Sequence, residues 1–174
     1  MIKQDIQERL TENHLRFADL VSSLNDREFL FTRGDKWTAG QQLDHIYRSV
    51  SALNKGLALP KFVIRLYVGK ANRPSKDYAG LVAKYQWRLK EGGKAMGRFI
   101  PAPVASADKI KLKEKLVSAV GKLCSKINRY SEQQLDDYIL PHPLLGKVTV
   151  REMLYFTIYH VEHHQKITLS NLGR

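Results

Sequence analysis

The sequence predicts an all-α protein, a bundle of long amphipathic helices forming one domain over residues 1–174. Three observations carry that expectation. Apolar residues recur at spacings of three, four and seven along most of the chain, the spacing of one helix face. T-x-x-Q and T-x-x-E capping boxes open two of these stretches. Pro60, Pro101, Pro103, Pro141 and Pro143 fall between stripes, where a missing N–H does no harm. With 174 residues, 43% of them hydrophobic, the chain is long enough to bury a sizeable core.

The first stripe is Ile2, Ile6, Leu10, Phe17, Leu20 and Leu24; Asn25-Asp26 and Arg33-Gly34-Asp35 read as a loop. Thr38 and Gln41 then form the first capping box, with Trp37 just ahead, and Leu43, Ile46, Val50, Leu53 and Leu57 continue the stripe to Pro60. The run Phe62 to Val68 is apolar and β-branched. No partner strand is evident, so it reads as a short helix or irregular segment between the second and third helices. A third helix fits Asp77 to Glu91 and stops at Gly92-Gly93. Ile100 to Asp108 is a loop with two prolines, and a fourth helix from about Asp108 to Tyr130 carries Leu112, Leu116, Val120, Leu123 and Ile127. Pro141-His142-Pro143 and Leu144-Leu145-Gly146 read as loop and turn. The last helix opens with the Thr149/Glu152 capping box and runs to about Ser170. Val148 and the Phe62–Val68 run are the only strand suspects, and neither is assigned as one.

Composition narrows the function. The single cysteine, Cys124, excludes an intrachain disulfide and an all-cysteine zinc site. No apolar run approaches the ~18 residues of a membrane span, and MIKQDIQERL lacks an apolar signal core, so a cytoplasmic protein is expected. The net charge of +12 is uneven: residues 55–126 hold 17 basic and 4 acidic residues. Lys111, Lys115, Lys122 and Lys126 share one helix face opposite an apolar stripe. Such a face would suit nucleic acid or an anionic ligand in a non-catalytic module. A solvated outer surface explains it as well, and no nucleic-acid-reading motif accompanies it.

Six histidines are present, three of them in YHVEHHQKI. His160 and His164 are four apart and lie on one helix face, where two ring nitrogens can share a cation. His163, three from His160, competes on spacing alone. A third ligand must come from another helix, and His45, bordering the stripe between Leu43 and Ile46, is the candidate. Three neutral imidazoles leave a coordination position open, as in catalytic sites. Val161 follows His160, so the H-E-x-x-H protease motif is absent. Gln41, four before His45, is on its face and could orient it. Tyr47, Tyr159 and Trp37 could line a pocket. His14, beside the first stripe, could line the site, but the favoured reading is a half-buried histidine with its hydrogen bonds met; His142 reads as a loop residue and Cys124 as a small core residue.

The pairing of WTAGQQLDHI with PHPLLGKVTVREMLYFTIYHVEHHQKI resembles the DinB-like (DinB/YfiT) superfamily, and within it the DinB_2 type. YVGKANRPSKDYAGLVAKY and KAMGRFIP fit the same type, so the resemblance spans essentially the whole chain. It implies a four-helix bundle, often arranged up-down-down-up. It also implies a divalent metal, commonly nickel or zinc, held by His45, His160 and His164, with His163 a neighbour. Characterised members of that family include S-transferases that use low-molecular-weight thiols and maleylpyruvate isomerases. The resemblance therefore implies a metal-dependent hydrolase or thiol S-transferase acting on a small-molecule substrate, with a thiol as cosubstrate in the second case. It also points to a homodimer. The residues name no general base, because Asp44 and Glu162 do not share a face with the neighbouring ligands.

Overall fold

The computed structural model describes residues 1–174. The helices are α1 (Lys3–Ser23), α2 (Asp26–Leu30), α3 (Ala39–Ala58), α4 (Lys61–Tyr67), α5 (Tyr78–Lys90), α6 (Lys109–Ile127), α7 (Glu132–Asp137) and α8 (Val150–Asn171). Strands β1 (Ile139–His142) and β2 (Gly146–Thr149) pair antiparallel before α8, with Ile139 opposite Thr149 and His142 opposite Gly146. The expected all-α bundle is present, built from α1, α3, α6 and α8.

Side-chain contacts fix the helix directions. Gln7 reaches the Cys124 carbonyl while Lys113 meets Asp19, so α1 and α6 are antiparallel. Asn13 bonds Glu162 while Met1 lies at Tyr155, so α1 and α8 are parallel. His45 faces His160 and Gln42 faces His164, so α3 runs against α8. The order is thus up-down-down-up. Two neighbouring parallel helices cannot be joined by a tight turn. The chain therefore crosses from the end of α3 to the start of α6 through about fifty residues, and this crossover carries α4 and α5.

Caps set the boundaries. Thr38 accepts from the Gln41 N–H and Gln41 Oε1 accepts from the Thr38 N–H, as the sequence predicts. Gly40, in the first turn of α3, has Phe29 so close that an added Cβ would lie 2.5 Å from its ring. That packing fixes α2 over the start of α3. Asn25, expected in a loop, instead caps α2 through the Glu28 N–H. The Phe62–Val68 run is mostly helix, as expected: α4 buries Ile64 and leaves Phe62, Leu66 and Tyr67 exposed.

The hairpin corrects the sequence expectation. Val148 and the residues around Pro141 form a two-stranded ladder where loop and turn were expected. Each strand has four residues, too short for a period-two signal, and proline is tolerated in a strand on a sheet edge. The short α7, capped by Ser131, was also not anticipated.

α8 is buried on every side from Val150 to Ile158, and it packs on α1, α3, α5 and the hairpin. Enclosed on every side, this stretch lies in the middle of the fold even at Arg151, Glu152 and Thr157. Its N-terminus is held by a fully buried carboxylate, that of Glu152. Arg73 grips both oxygens at 2.7 and 2.9 Å, and the Lys76 and Thr149 N–H groups donate at 2.8 and 2.9 Å. Burial alone would raise the Glu152 carboxyl; the Arg73 fork and the two amides outweigh it and hold it below the usual range. This clamp ties the crossover to the helix that carries His160, His163 and His164. Lys111, Lys115 and Lys122 are exposed on the outer side of α6, as a solvated face requires. No helix is long and apolar enough to cross a membrane.

The clamp predicts an order of effects. Glu152→Gln should cost about 2–3 kcal/mol, because it unpairs Arg73 and weakens two amide contacts. Thr149→Ala should cost about 1 kcal/mol, the usual value of a lost N-cap. Urea unfolding of the two variants measures both, and equal losses would contradict the clamp.

Candidate metal centre

α3 and α8 present His45, His160 and His164 to one another inside the bundle. All three side chains are buried. The His160 Nε2 lies 3.1 Å from His45 Nε2 and 3.0 Å from His164 Nε2. One ligand atom from each ring falls within 4.8 Å of the others.

The outer nitrogens decide what the inner ones can do. His45 Nδ1 lies 2.7 Å from the Phe99 carbonyl oxygen, and His164 Nδ1 meets Gln42 Oε1. Both partners are acceptors, so both Nδ1 atoms carry the proton and donate. The Nε2 atoms of His45 and His164 are therefore bare lone pairs. Both face His160 Nε2, which can donate one proton at most. At least one lone pair is left without a proton to accept unless a cation lies between the rings. Nitrogens spaced in this way suit an ion about 2.0–2.1 Å from each, the usual zinc–imidazole distance. An imidazole whose far N–H is held by a carbonyl oxygen is the normal state of a metal-bound histidine.

The electrostatics agree. Burial lowers the pKa of His45, and it lowers those of His160 and His164 well below the ordinary value, helped by their neighbouring imidazoles. All three rings are neutral at pH 7, as a ligand must be. Trp37 packs on the site, 5.0 Å from the His45 ring and stacked 6.3 Å from that of His164.

The site opens onto a cavity of about 1140 Å³, walled by α3, the crossover, the hairpin and α8. Its apolar wall includes Val50, Leu53, Leu89, Phe99, Met153 and Phe156. Lys55, Lys94 and Arg98 also line it, so part of the basic middle segment reaches the chamber.

His163 stands apart from the triangle. It lines the cavity, and its ring packs against Tyr159 and Tyr85. Asp44 bonds Arg48 and Glu162 accepts from Asn13, so neither carboxylate serves the site. Gln41, expected to orient His45, is occupied by the cap; the orienting groups are the Phe99 carbonyl and Gln42. The Phe99 carbonyl has no side-chain signature. Gln42 lies four residues before Ile46 on the inner side of α3, a position the stripe could have flagged. Tyr159 is occupied by Gln86 instead of lining the cavity, and Tyr47 packs against the core. Cys124 is half-buried, and burial raises its thiol pKa.

His14 corrects the sequence expectation. It is fully buried, its Nδ1 donates to the Leu10 carbonyl at 2.7 Å, and its Nε2 has no partner. It also lines the cavity. Burial pushes its pKa down to about 4.

An all-α bundle with three inward imidazoles at one end of a large cavity defines a candidate metalloprotein class. The chain belongs to the DinB superfamily, whose family model matches residues 9–167. Neither a curated relative nor a solved structure matches it.

Two measurements follow. In long-range ¹H–¹⁵N spectra of histidine-labelled, metal-free protein, His14, His45 and His164 should all appear as the Nδ1-protonated tautomer. The acid limb of stability is the second. Unfolded His14 takes up a proton near pH 6.5, while the folded form does so only near 4. Its contribution is therefore present above pH 6.5 and is lost as pH falls toward 4, by up to ~3 kcal/mol. His14→Leu should flatten that limb by up to about 1.4 kcal/mol per pH unit. The other buried imidazoles keep the residual slope in the same direction.

Proposed function

We propose that this chain is a metal-dependent enzyme in which His45, His160 and His164 hold one divalent ion, nickel or zinc, through their Nε2 atoms. The observation that supports it best is the pair of locked tautomers. Phe99 and Gln42 commit the outer nitrogens of two rings, and three inner nitrogens converge without enough protons to satisfy them. When bound, such an ion supplies Lewis acidity and lowers the pKa of a coordinated water or thiol.

The chain's own residues supply the rest. α3 and α8 fix the ligands on rigid elements. Trp37 covers one side of the rings, and the apolar wall limits water around them. The cavity is large enough for a small organic substrate beside the open side of the triangle. The reaction is hydrolysis or transfer of a substrate group to a low-molecular-weight thiol. Lys55, Lys94 and Arg98 favour an anionic group on the substrate or cosubstrate.

Elemental analysis of purified protein tests the reading. About one metal per chain is expected. His45→Ala, His160→Ala and His164→Ala should each reduce it at least tenfold, while His163→Ala should leave it unchanged. Full retention in the first three variants overturns the metal site, and equal loss in all four overturns the ligand assignment. Cobalt-substituted protein then separates the chemistries. A sulfur-to-cobalt charge-transfer band on adding a small thiol supports S-transfer, and its absence together with ester turnover supports hydrolysis.

A further inference from the structure

One group on the cavity wall has no part in holding a metal, yet its hydrogen-bonding state is fixed by the fold. His142 ends β1 and enters the turn Pro143–Leu145. Its Nδ1 lies 3.1 Å from the backbone nitrogen of Leu144 and 3.1 Å from that of Leu145. Both are N–H donors, so Nδ1 must be the bare, accepting nitrogen. The ring's proton is forced onto Nε2. That Nε2 has no partner anywhere in the protein, and it is not sealed away as the orphaned His14 nitrogen is. Burial, with Lys84 nearby, pushes the pKa down to about 4, so the ring stays neutral.

A turn of this kind needs only an acceptor two or three residues ahead of its amides. Asn or Asp supplies that routinely. A histidine does the same work with Nδ1 and keeps a second polar atom over. Here that atom is an unpartnered N–H donor on a residue that lines the chamber holding the three-histidine triangle. Phe156 stands between the two: its ring meets the His142 ring edge-on at 4.3 Å and stacks on His160 at 4.6 Å. Leu140, Leu144, Met153 and Phe156 line the same chamber and are apolar, and Phe156 touches the His142 ring itself.

We infer that His142 is the residue that holds an oxygen of the substrate, and that the substrate is an apolar acyl or aryl compound with a carbonyl oxygen placed to accept from His142 Nε2–H. The inference rests on the cavity being the substrate chamber of the proposed enzyme, and it does not require the metal to be bound. A neutral donor is selective in a useful way. It holds a carbonyl without placing a positive charge beside the histidine triangle, where an imidazolium would oppose a cation. The cationic side chains that also line the cavity are then free to take a separate anionic group.

The test is a comparison of two probes with one shape. Acetophenone carries the carbonyl, and α-methylstyrene replaces that oxygen with a methylene group. The variant His142→Asn places an amide oxygen where Nδ1 accepts from the Leu144 and Leu145 amides, but it does not reach as far as Nε2. Both probes are titrated by NMR into wild-type and variant protein as purified, and again after chelation of metal. Acetophenone affinity should fall roughly five- to tenfold in the variant, the value of one neutral hydrogen bond. That of α-methylstyrene should stay unchanged. In the wild type, the His142 Nε2–H resonance should move with acetophenone and remain still with α-methylstyrene, a readout that stands even if the variant fails to fold. Equal losses for both probes, or no loss for either, overturn the role of His142 while leaving the metal site intact. If neither probe binds the wild type, the cavity is not the chamber and the inference falls with it. Loss of metal from the histidine-to-alanine variants is a separate result and bears only on the proposed function.

Discussion

The organising constraint is electrostatic and local: three buried imidazole nitrogens point at one another with too few protons to go round. Left alone, this arrangement is unfavourable, since a lone pair with no proton to accept is costly in a low-dielectric interior. The surrounding structure enforces it. The Phe99 carbonyl and Gln42 turn two rings, Trp37 braces them, and the α3 cap and the α8 clamp fix the helices from which they project. A cation among the three nitrogens would relieve this arrangement most directly, and the cluster is compatible with a metal-binding site.

The topology explains how so large a cavity sits beside a packed core. Because α3 and α6 run in the same direction, the chain must return along the outside of the bundle, and the return segment forms one wall of the chamber. The candidate ligands thus stand on long, buried helices, while the facing wall is built from short elements and loops.

Much of this was legible in the residues. The apolar stripes and the two threonine capping boxes place the long helices, and His45 borders the stripe that faces α8. The spacing of His160, His163 and His164 could not choose a pair, because three and four residues both bring side chains near one face. The choice lies in the packing: His164 points inward to Gln42, and His163 points to Tyr85 and Tyr159. What escaped had no local signature. A hairpin with four-residue strands and a proline in one of them resembles a loop. A carbonyl that orients a ligand leaves no trace in side-chain chemistry. The tautomers of His14 and His142 depend on which backbone groups lie beside them, and a residue letter cannot report that.

His45 and His160 are 115 residues apart, on helices that pack against each other. A slip of α8 by one turn, about 5.4 Å, would keep many of its apolar contacts but break the Arg73 clamp on Glu152. It would also carry both of its inward imidazoles away from His45. Hydrophobic packing alone discriminates weakly between such registers, but three-point coordination would discriminate sharply. An ion held by the three imidazoles would act as a proofreader of helix alignment, rewarding only the docking in which distant parts of the chain arrive in step.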